Sequence, residues 1–253
     1  MNLREKLKKG RTTIGSWITL GNTGIAEILA KAGFDWLVID LEHSTISIEQ
    51  AGELIRTVDL AGVPPLVRVT SNDACQIKRV LDAGAHGVVV PSINCKQDAE
   101  KAVAATRYAP VGNRGVGLAR AQGYGSKFSE YLDWQENATV VIVQIEHIDA
   151  LKNLAEIFST PGVDGFIIGP YDLSCSMGMP GEFERDEFKE VVNTIFNAGV
   201  AEGCPAGMHM VEPDPERLER LVQEGYKILA YSVDIRMLDV SARVGAAKIK
   251  RLS

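Results

Sequence analysis

Residues 36–69 read Trp36-Leu37-Val38-Ile39-Asp40-Leu41-Glu42-His43, then Ile48–Leu60 with Ala61-Gly62 behind it, then Pro65-Leu66-Val67-Arg68-Val69. The first run is continuously apolar before it turns acidic, the pattern of a strand covered on both faces, as in a parallel sheet. The middle stretch is an amphipathic helix closed by Ala-Gly. The last run is a second buried strand, and it ends in an arginine. Strand, helix and strand within roughly 30 residues make one βαβ unit.

The unit repeats in both directions. Strands are predicted over Ile14–Ile18, Trp36–Ile39, Pro65–Val69, Gly87–Val90, Thr139–Ile145, Val163–Ile168, Cys204–Met208 and Lys227–Tyr231. Helices follow over Ile25–Ala32, Ile48–Leu60, Ala74–Leu81, Gln97–Thr106, Ala150–Phe158, Phe188–Ala198, Pro215–Glu224 and Ile235–Ala247. Eight pairs in 253 residues is close to 32 residues each, and a (β/α)8 TIM barrel typically takes about 250. Residues 1–253 therefore read as one α/β domain of that kind. A doubly wound open sheet is the rival; it stops more naturally at roughly five to seven strands. No Gly-x-Gly-x-x-Gly follows the first strand, so that rival lacks its dinucleotide fingerprint. Two loops break the rhythm, Tyr108–Asn137 and Ser174–Arg185. Long excursions in a compact domain carry function or form interfaces.

Composition removes several classes. The formal charge is −6, from 27 Lys+Arg against 33 Asp+Glu, with no basic cluster, so nucleic acid is a poor partner. No apolar run approaches the roughly 20 residues of a membrane span. The opening Met1-Asn2-Leu3-Arg4-Glu5-Lys6-Leu7-Lys8-Lys9 has no apolar stretch behind its basic residues, unlike a secretory signal. Cys75, Cys95, Cys175 and Cys204 form no C-x-x-C and read as reduced, buried thiols. The expectation is a cytoplasmic protein.

In a barrel of this kind chemistry sits at the C-terminal ends of the strands. Strand two runs out as Asp40-Leu41-Glu42-His43, where a histidine beside carboxylates can serve as a base near neutral pH, or be one of several solvated loop charges. Strand three ends in Arg68, either a clamp on an anion or one half of a structural ion pair. Strand five ends Gln144-Ile145-Glu146, which puts the amide and the carboxylate on one side. Strand six ends Gly169-Pro170-Tyr171-Asp172. There Gly169 admits a ligand close to the backbone, and Asp172 reads alone as a helix N-cap. Paired with Glu146 it reads as a site for Mg²⁺ or Mn²⁺, with the Tyr171 and Asp172 amides free for a substrate carboxylate. Asp82 lies at the unfavourable end of the third helix, where a partner such as His43, reached across a subunit contact, would explain it; alternatively it is an ordinary exposed acid before Ala83-Gly84. Trp17 walls the pocket or simply fills the core. His86 and His147 flank strands and read as satisfied supporting groups; His209 follows strand seven, can also face the mouth, and stays unassigned. No strand ends in lysine, so a Schiff base lacks its nucleophile.

Taken together these residues resemble the HpcH/HpaI aldolases, the metal-dependent class II pyruvate aldolases. The resemblance rests on Gly33-Phe34-Asp35-Trp36-Leu37-Val38-Ile39-Asp40-Leu41-Glu42-His43, Val67-Arg68, Asn72-Asp73, Gln76-Ile77-Lys78, Ala105-Thr106-Arg107-Tyr108, Arg114-Gly115-Val116-Gly117, Val143-Gln144-Ile145-Glu146 and Gly169-Pro170-Tyr171-Asp172-Leu173-Ser174, in order along the chain. It implies a barrel assembled as a homo-hexamer, a dimer of trimers, with the last helix exchanged between neighbours. It implies a divalent metal (Mg²⁺, Mn²⁺ or Co²⁺) on Glu146 and Asp172, and no organic cofactor. It makes Gln144 and the Tyr171 backbone pyruvate-binding positions, Arg68 the enolate clamp, His43 the acid/base, and Asp82 the acid that raises its basicity. Trp17 and Asp40 match positions near the pocket. Tyr171 and Leu41 depart from the residues common in the family, which bears on specificity more than on reaction type.

The expected reaction is reversible cleavage of a 4-hydroxy-2-oxo acid to pyruvate and an aldehyde. A related C–C lyase acting on a CoA thioester or a citrate-like substrate is the second reading, and a catalytically silent barrel the third.

Overall fold

The computed structural model describes residues 1–250. Eight parallel strands, β1 (Thr13–Ile18), β2 (Trp36–Asp40), β3 (Pro65–Arg68), β4 (Gly87–Val90), β5 (Val140–Ile145), β6 (Gly165–Ile168), β7 (Ala206–Met210) and β8 (Ile228–Val233), close in sequence order into one barrel. β8 returns to pair with β1, Thr13 opposite Ile228. Among the described residues no helix is long and apolar enough to cross a membrane.

The continuous apolar runs divide by parity into two cores. Ile18, Leu37, Ile39, Val67, Val88, Val90, Val143, Ile145, Phe166 and Ile168 join the helix residues in the outer core. The alternate residues Trp17, Trp36, Val38, Leu66, Val89, Val140, Ile142, Ile167, Ile228 and Ala230 form the inner one. Successive side chains on a strand point to opposite faces, so both faces must be apolar for a barrel wrapped by helices. Glycine makes the inner layer fit: a Cβ on Gly15 would lie 2.2 Å from the Trp36 indole.

Two elements were not anticipated from periodicity. A short helix, Leu3–Lys8, is started by Asn2 and Glu5 in a reciprocal cap. Its Leu3 and Leu7 join the inner core and plug the N-terminal end of the barrel, with Arg4 tied to Asp164 at 2.6 Å. The Tyr108–Asn137 excursion contains a further helix, Phe128–Ala138. It is anchored by Arg114, whose guanidinium lies 4.8 Å from the Tyr108 ring centre and 5.4 Å from that of Tyr131. Of the four thiols, Cys204 is buried whereas Cys75 and Cys175 are exposed.

Candidate active site

The inner columns of the barrel change character at their last step. Trp36 and Val38 lead to Asp40, Leu66 to Arg68, Val140 and Ile142 to Gln144, and Gly207 to His209. Parity places each polar residue on the same face as the apolar ones below it. The result is a packed apolar barrel with a polar rung at its C-terminal mouth.

Arg68 is the centre of that rung. Asp40 and Arg68 are direct partners across β2 and β3. The pair is bidentate: Nε donates to Asp40 Oδ1 at 2.8 Å and Nη2 to Oδ2 at 2.7 Å. Nη1 lies 3.2 Å from Glu42 Oε2. The guanidinium carbon sits 4.4 Å from the Trp17 ring centre, and His209 stacks on Trp17 at 4.7 Å and 18°. Asp40 Oδ1 also accepts from the Glu42 and His43 amides at 3.0 and 3.4 Å. One carboxylate thus fixes both the arginine and the turn that carries Glu42 and His43.

The carboxylates crowd. Glu146 Oε1 accepts from the Ser92 amide at 2.7 Å, and its Oε2 accepts from the Gln144 amide group. Ser92 holds a left-handed backbone, φ 56°, in presenting that amide. Burial, with the Asp172 charge adding to it, raises the Glu146 pKa against the lowering by Gln144, Ser92 and Arg68. Glu42 is pushed up to about 7, chiefly by burial and further by Glu146, Asp40 and Asp172, against the opposing pull of Arg68. Gly169 passes close beneath: a Cβ there would stand 2.9 Å from Glu146 Oε2 and 3.0 Å from Gln144 Nε2. Gly169 is itself the cap residue of the Pro170–Ser176 helix, so Asp172 occupies the first turn and is not the N-cap.

Trp17 Nε1 and Gln144 Oε1 are buried without a hydrogen-bond partner, and Glu42 Oε2 has only its ion pair with Arg68. Further such atoms lie outside the mouth, on Asn72, Asn94, Arg114, Gln135 and Thr139, but these two face the region where a ligand would complete the bonding. The donor set suits a hard divalent cation. Two mutually repelling carboxylates, Glu146 and Asp172, face one region, and oxygen ligands with free positions for water and substrate are what Mg²⁺ or Mn²⁺ takes. Among the described residues no group of three or more His, Cys, Asp or Glu that could hold a metal ion is found.

The other expected residues are dispersed. The His43 side chain is 61% exposed, 3.9 Å from Glu42. Asp82 pairs with Arg114 of its own chain at 2.6 Å, and no bond joins it to His43 among the described residues. Tyr171 is exposed, its ring edge-on to Phe183 at 4.9 Å. His86 belongs to the other end of the barrel, bound to Asp59 at 3.0 Å. A cavity of about 410 Å³ beside it, lined by Arg120, Tyr131 and Trp134, contains none of the expected site residues. Sequence reasoning missed Ser92 and left His209 unassigned. The signal for His209 was its parity with Gly207, hidden because β7 ends at Met210 and not at Met208.

Comparison with known proteins fits this geometry. The family model described as HpcH/HpaI aldolase/citrate lyase matches residues 13–239. The chain belongs to that family. It is 38% identical over 255 residues to the 4-hydroxy-2-oxo-heptane-1,7-dioate aldolase of Salmonella typhimurium, covering 99% of this chain and 96% of that one. A solved HpcH/HpaI aldolase/citrate lyase family protein from Burkholderia cenocepacia superposes with a TM-score of 0.92 at 30% identity, covering 98% of each chain. Citrate synthase SbnG superposes at 0.86 with 26% identity, over 100% of this chain and 99% of that one. As a member of the HpcH/HpaI family with named aldolase relatives, the protein is a carbon–carbon lyase.

Proposed function

We propose that this HpcH/HpaI protein is a divalent-metal-dependent pyruvate aldolase, cleaving a 4-hydroxy-2-oxo acid reversibly to pyruvate and an aldehyde. The observation that carries the reading is the polar rung itself: Arg68, Gln144 and Glu146 over an apolar barrel, with the Trp17 indole N–H and the Gln144 carbonyl oxygen left for a ligand. Glu146 and Asp172 would hold Mg²⁺, Mn²⁺ or Co²⁺. When bound, such a cation polarises the 2-oxo group and offsets negative charge as the C–C bond breaks.

The chain's own residues do the rest. Gln144 Oε1 and Nε2, beside Glu146, orient the oxo-acid head. The first-turn amides of Tyr171 and Asp172 have no carbonyl partner within the helix and hold the substrate carboxylate. His43, directly or through one water, takes the 4-hydroxyl proton. The C3–C4 bond breaks, and its electron pair passes to the enolate of pyruvate. Arg68, held by Asp40 on one edge, turns Nη1 to the enolate oxygen. Donors fixed before the reaction stabilise developing charge without reorganising. Asp82 meets His43 across a contact in a homo-oligomer, a hexamer built as a dimer of trimers with the last helix exchanged, in the cytoplasm.

The test is pyruvate release from a racemic 4-hydroxy-2-oxo acid with and without EDTA. Activity indifferent to chelator removes the metal from the scheme, and full turnover by Arg68→Ala removes the enolate clamp. The likeness to citrate synthase SbnG keeps one rival. Condensation of a citrate-like or CoA-thioester substrate, without aldol cleavage, would select it.

A further inference from the structure

The cavity of about 410 Å³ beside His86 lies away from the barrel mouth, and two parts of the chain enclose it. One side is the barrel shell, with Asp59 at the end of the Ile48–Leu60 helix and His86 just ahead of β4. The other is the Tyr108–Asn137 excursion, which contributes Arg120, Lys127 and Trp134. Gly123, Tyr124 and Gly125 between them are all left-handed, φ 58°, 57° and 98°. That turn folds the chain back, so Arg120 and Lys127 reach the same cavity. Clefts of this size, with an apolar lining and a few polar groups, are where small molecules bind.

The polar groups there are unevenly engaged. Both oxygens of Asp59 are taken: His86 Nε2 lies 3.0 Å from Oδ1, and Arg120 Nη2 donates to Oδ2. Burial alone would raise the Asp59 pKa, yet those two partners hold it below the ordinary carboxylate value. Arg120 keeps donors in hand. Its Nη1 reaches the Ala83 carbonyl only at 3.5 Å, and its Nε makes no hydrogen bond among the described residues. The side chain is 18% exposed, so bulk water does little to satisfy them. Gly84, φ 104°, makes room for it: a Cβ there would stand 2.2 Å from Nη1. Lys127 joins no ion pair among the described residues, whose lysine pairs use Lys6, Lys31, Lys96 and Lys189. Trp134 supplies a flat wall, edge-on to His86 at 4.9 Å and stacked on Tyr131 at 5.6 Å and 19°. The Tyr131 hydroxyl is engaged elsewhere, accepting from Arg114 Nη1 at 2.9 Å.

We propose that this cavity binds a small aromatic monocarboxylate, its carboxylate on Arg120 and Lys127 and its ring against Trp134, at a site separate from the barrel mouth. A guanidinium presents parallel donors that match the two oxygens of a carboxylate, and a flat ring packs on an aromatic wall. A cationic ligand would face Arg120 and Lys127. A phosphate dianion would bring a second negative charge beside Glu130, an acid on the same lining, and Asp59. The proposal does not depend on the aldolase reading.

The experiment is titration calorimetry of the whole chain with benzoate, with and without saturating pyruvate and Mn²⁺. Wild type is expected to bind benzoate with Kd at or below about 1 mM, within reach of a ligand of this size, and equally well with pyruvate present. Benzamide lacks the charge and cyclohexanecarboxylate the flat ring; each should bind at least about threefold more weakly. Arg120→Met should weaken benzoate at least about tenfold, the loss of hydrogen bonds to a charged group. Lys127→Met changes an exposed side chain and should weaken it about threefold or more. Ala121→Phe places a ring in the cavity and should abolish binding. Melting curves establish that the variants are folded, and Lys127→Met keeps the test open if Arg120→Met is not. A wild type that does not bind benzoate overturns the proposal, as does binding that survives Ala121→Phe unchanged. Displacement of benzoate by pyruvate makes it a ligand of the mouth and overturns the separate site. Displacement by inorganic phosphate at equal concentration overturns the monocarboxylate class.

Discussion

Asp40→Ala is the sharpest perturbation of the mouth, because it removes one carboxylate and disturbs three neighbours. The side chains of Arg68 and Asp40 are only 8% and 2% exposed, and the contact uses two parallel hydrogen bonds. Taking away one partner of a buried pair leaves the other charge uncompensated, which costs about 3–5 kcal/mol. Glu42 stays 3.2 Å from Nη1 and offsets part of that, so the lower end, about 3 kcal/mol, is expected. For a chain of this size each kcal/mol moves the melting temperature by roughly 2–4 °C, giving a fall of about 6–12 °C. Arg68→Met is expected to destabilise too, by stranding Asp40. The double variant Asp40→Ala/Arg68→Met strands neither charge and should recover about 2 kcal/mol relative to the sum of the single changes. Chemical denaturation of the four proteins at pH 7 measures the cycle. An Asp40→Ala protein within about 1 kcal/mol of wild type, or a strictly additive double variant, would refute the view that this pair is buried and coupled.

Three further outcomes follow from the same geometry. Glu146→Gln removes a buried acid whose charged form is already disfavoured. The metal-free variant should melt no lower than wild type yet lose the Mn²⁺-induced rise in melting temperature, which calorimetry reads directly. Gly169→Ala places a methyl 2.9 Å from Glu146 Oε2. It should destabilise by about 1–3 kcal/mol, as overpacking does, and lower Mn²⁺ affinity measured by titration calorimetry. Stability without metal should fall as pH rises from 4.5 to about 7, because folded Glu42 keeps a proton there that the unfolded chain has released. Glu42→Gln should flatten that slope, and Mn²⁺ should bind more tightly to wild type above pH 7 than below it; a stability curve unchanged by Glu42→Gln would contradict the assignment.

How far the sequence revealed this site depended on the kind of signal. Asp40, Arg68 and Gln144 were legible because each follows an apolar run at fixed parity, so local sequence alone gives both face and height. Glu146 and Asp172 were legible as a pair only once the barrel put β5 beside β6. His209 was read as able to face the mouth but given no role, because Ala206-Gly207-Met208-His209-Met210 is a poor strand by composition; its inward face is glycine and histidine, and only pairing with β6 and β8 makes it one. Ser92 escaped because nothing in Pro91-Ser92-Ile93 announces an amide turned to Glu146 by a positive φ. Asp82 was read either as an acid seeking a partner such as His43 or as an ordinary exposed one. That the partner within the chain is Arg114, 32 residues away, follows from how the Tyr108–Asn137 excursion packs. No local period encodes that.

The division between lower and upper barrel explains how such a mouth is tolerated. Buried carboxylates that repel one another, and polar atoms without partners, each oppose folding by amounts comparable to a sizeable share of a domain's net stability. Here the mutually repelling carboxylates sit in the last rung. Below them Trp36, Val38, Leu66, Val140, Ile142 and Ile167 pack the interior, and Leu3 and Leu7 seal its base. The strand ladders continue unbroken around the ring, apart from one shift between β1 and β8. The backbone that carries Asp40, Arg68, Gln144 and His209 is therefore fixed by interactions the site does not supply. Repulsion among the acids can then be relieved by ligand in place of structural collapse; Glu42, pushed up to about 7 chiefly by burial, is raised further by Glu146, Asp40 and Asp172. A cation and an oxo acid entering together would stabilise the fold most where it is now weakest, so the ligand-induced rise in melting temperature should exceed that of either ligand alone.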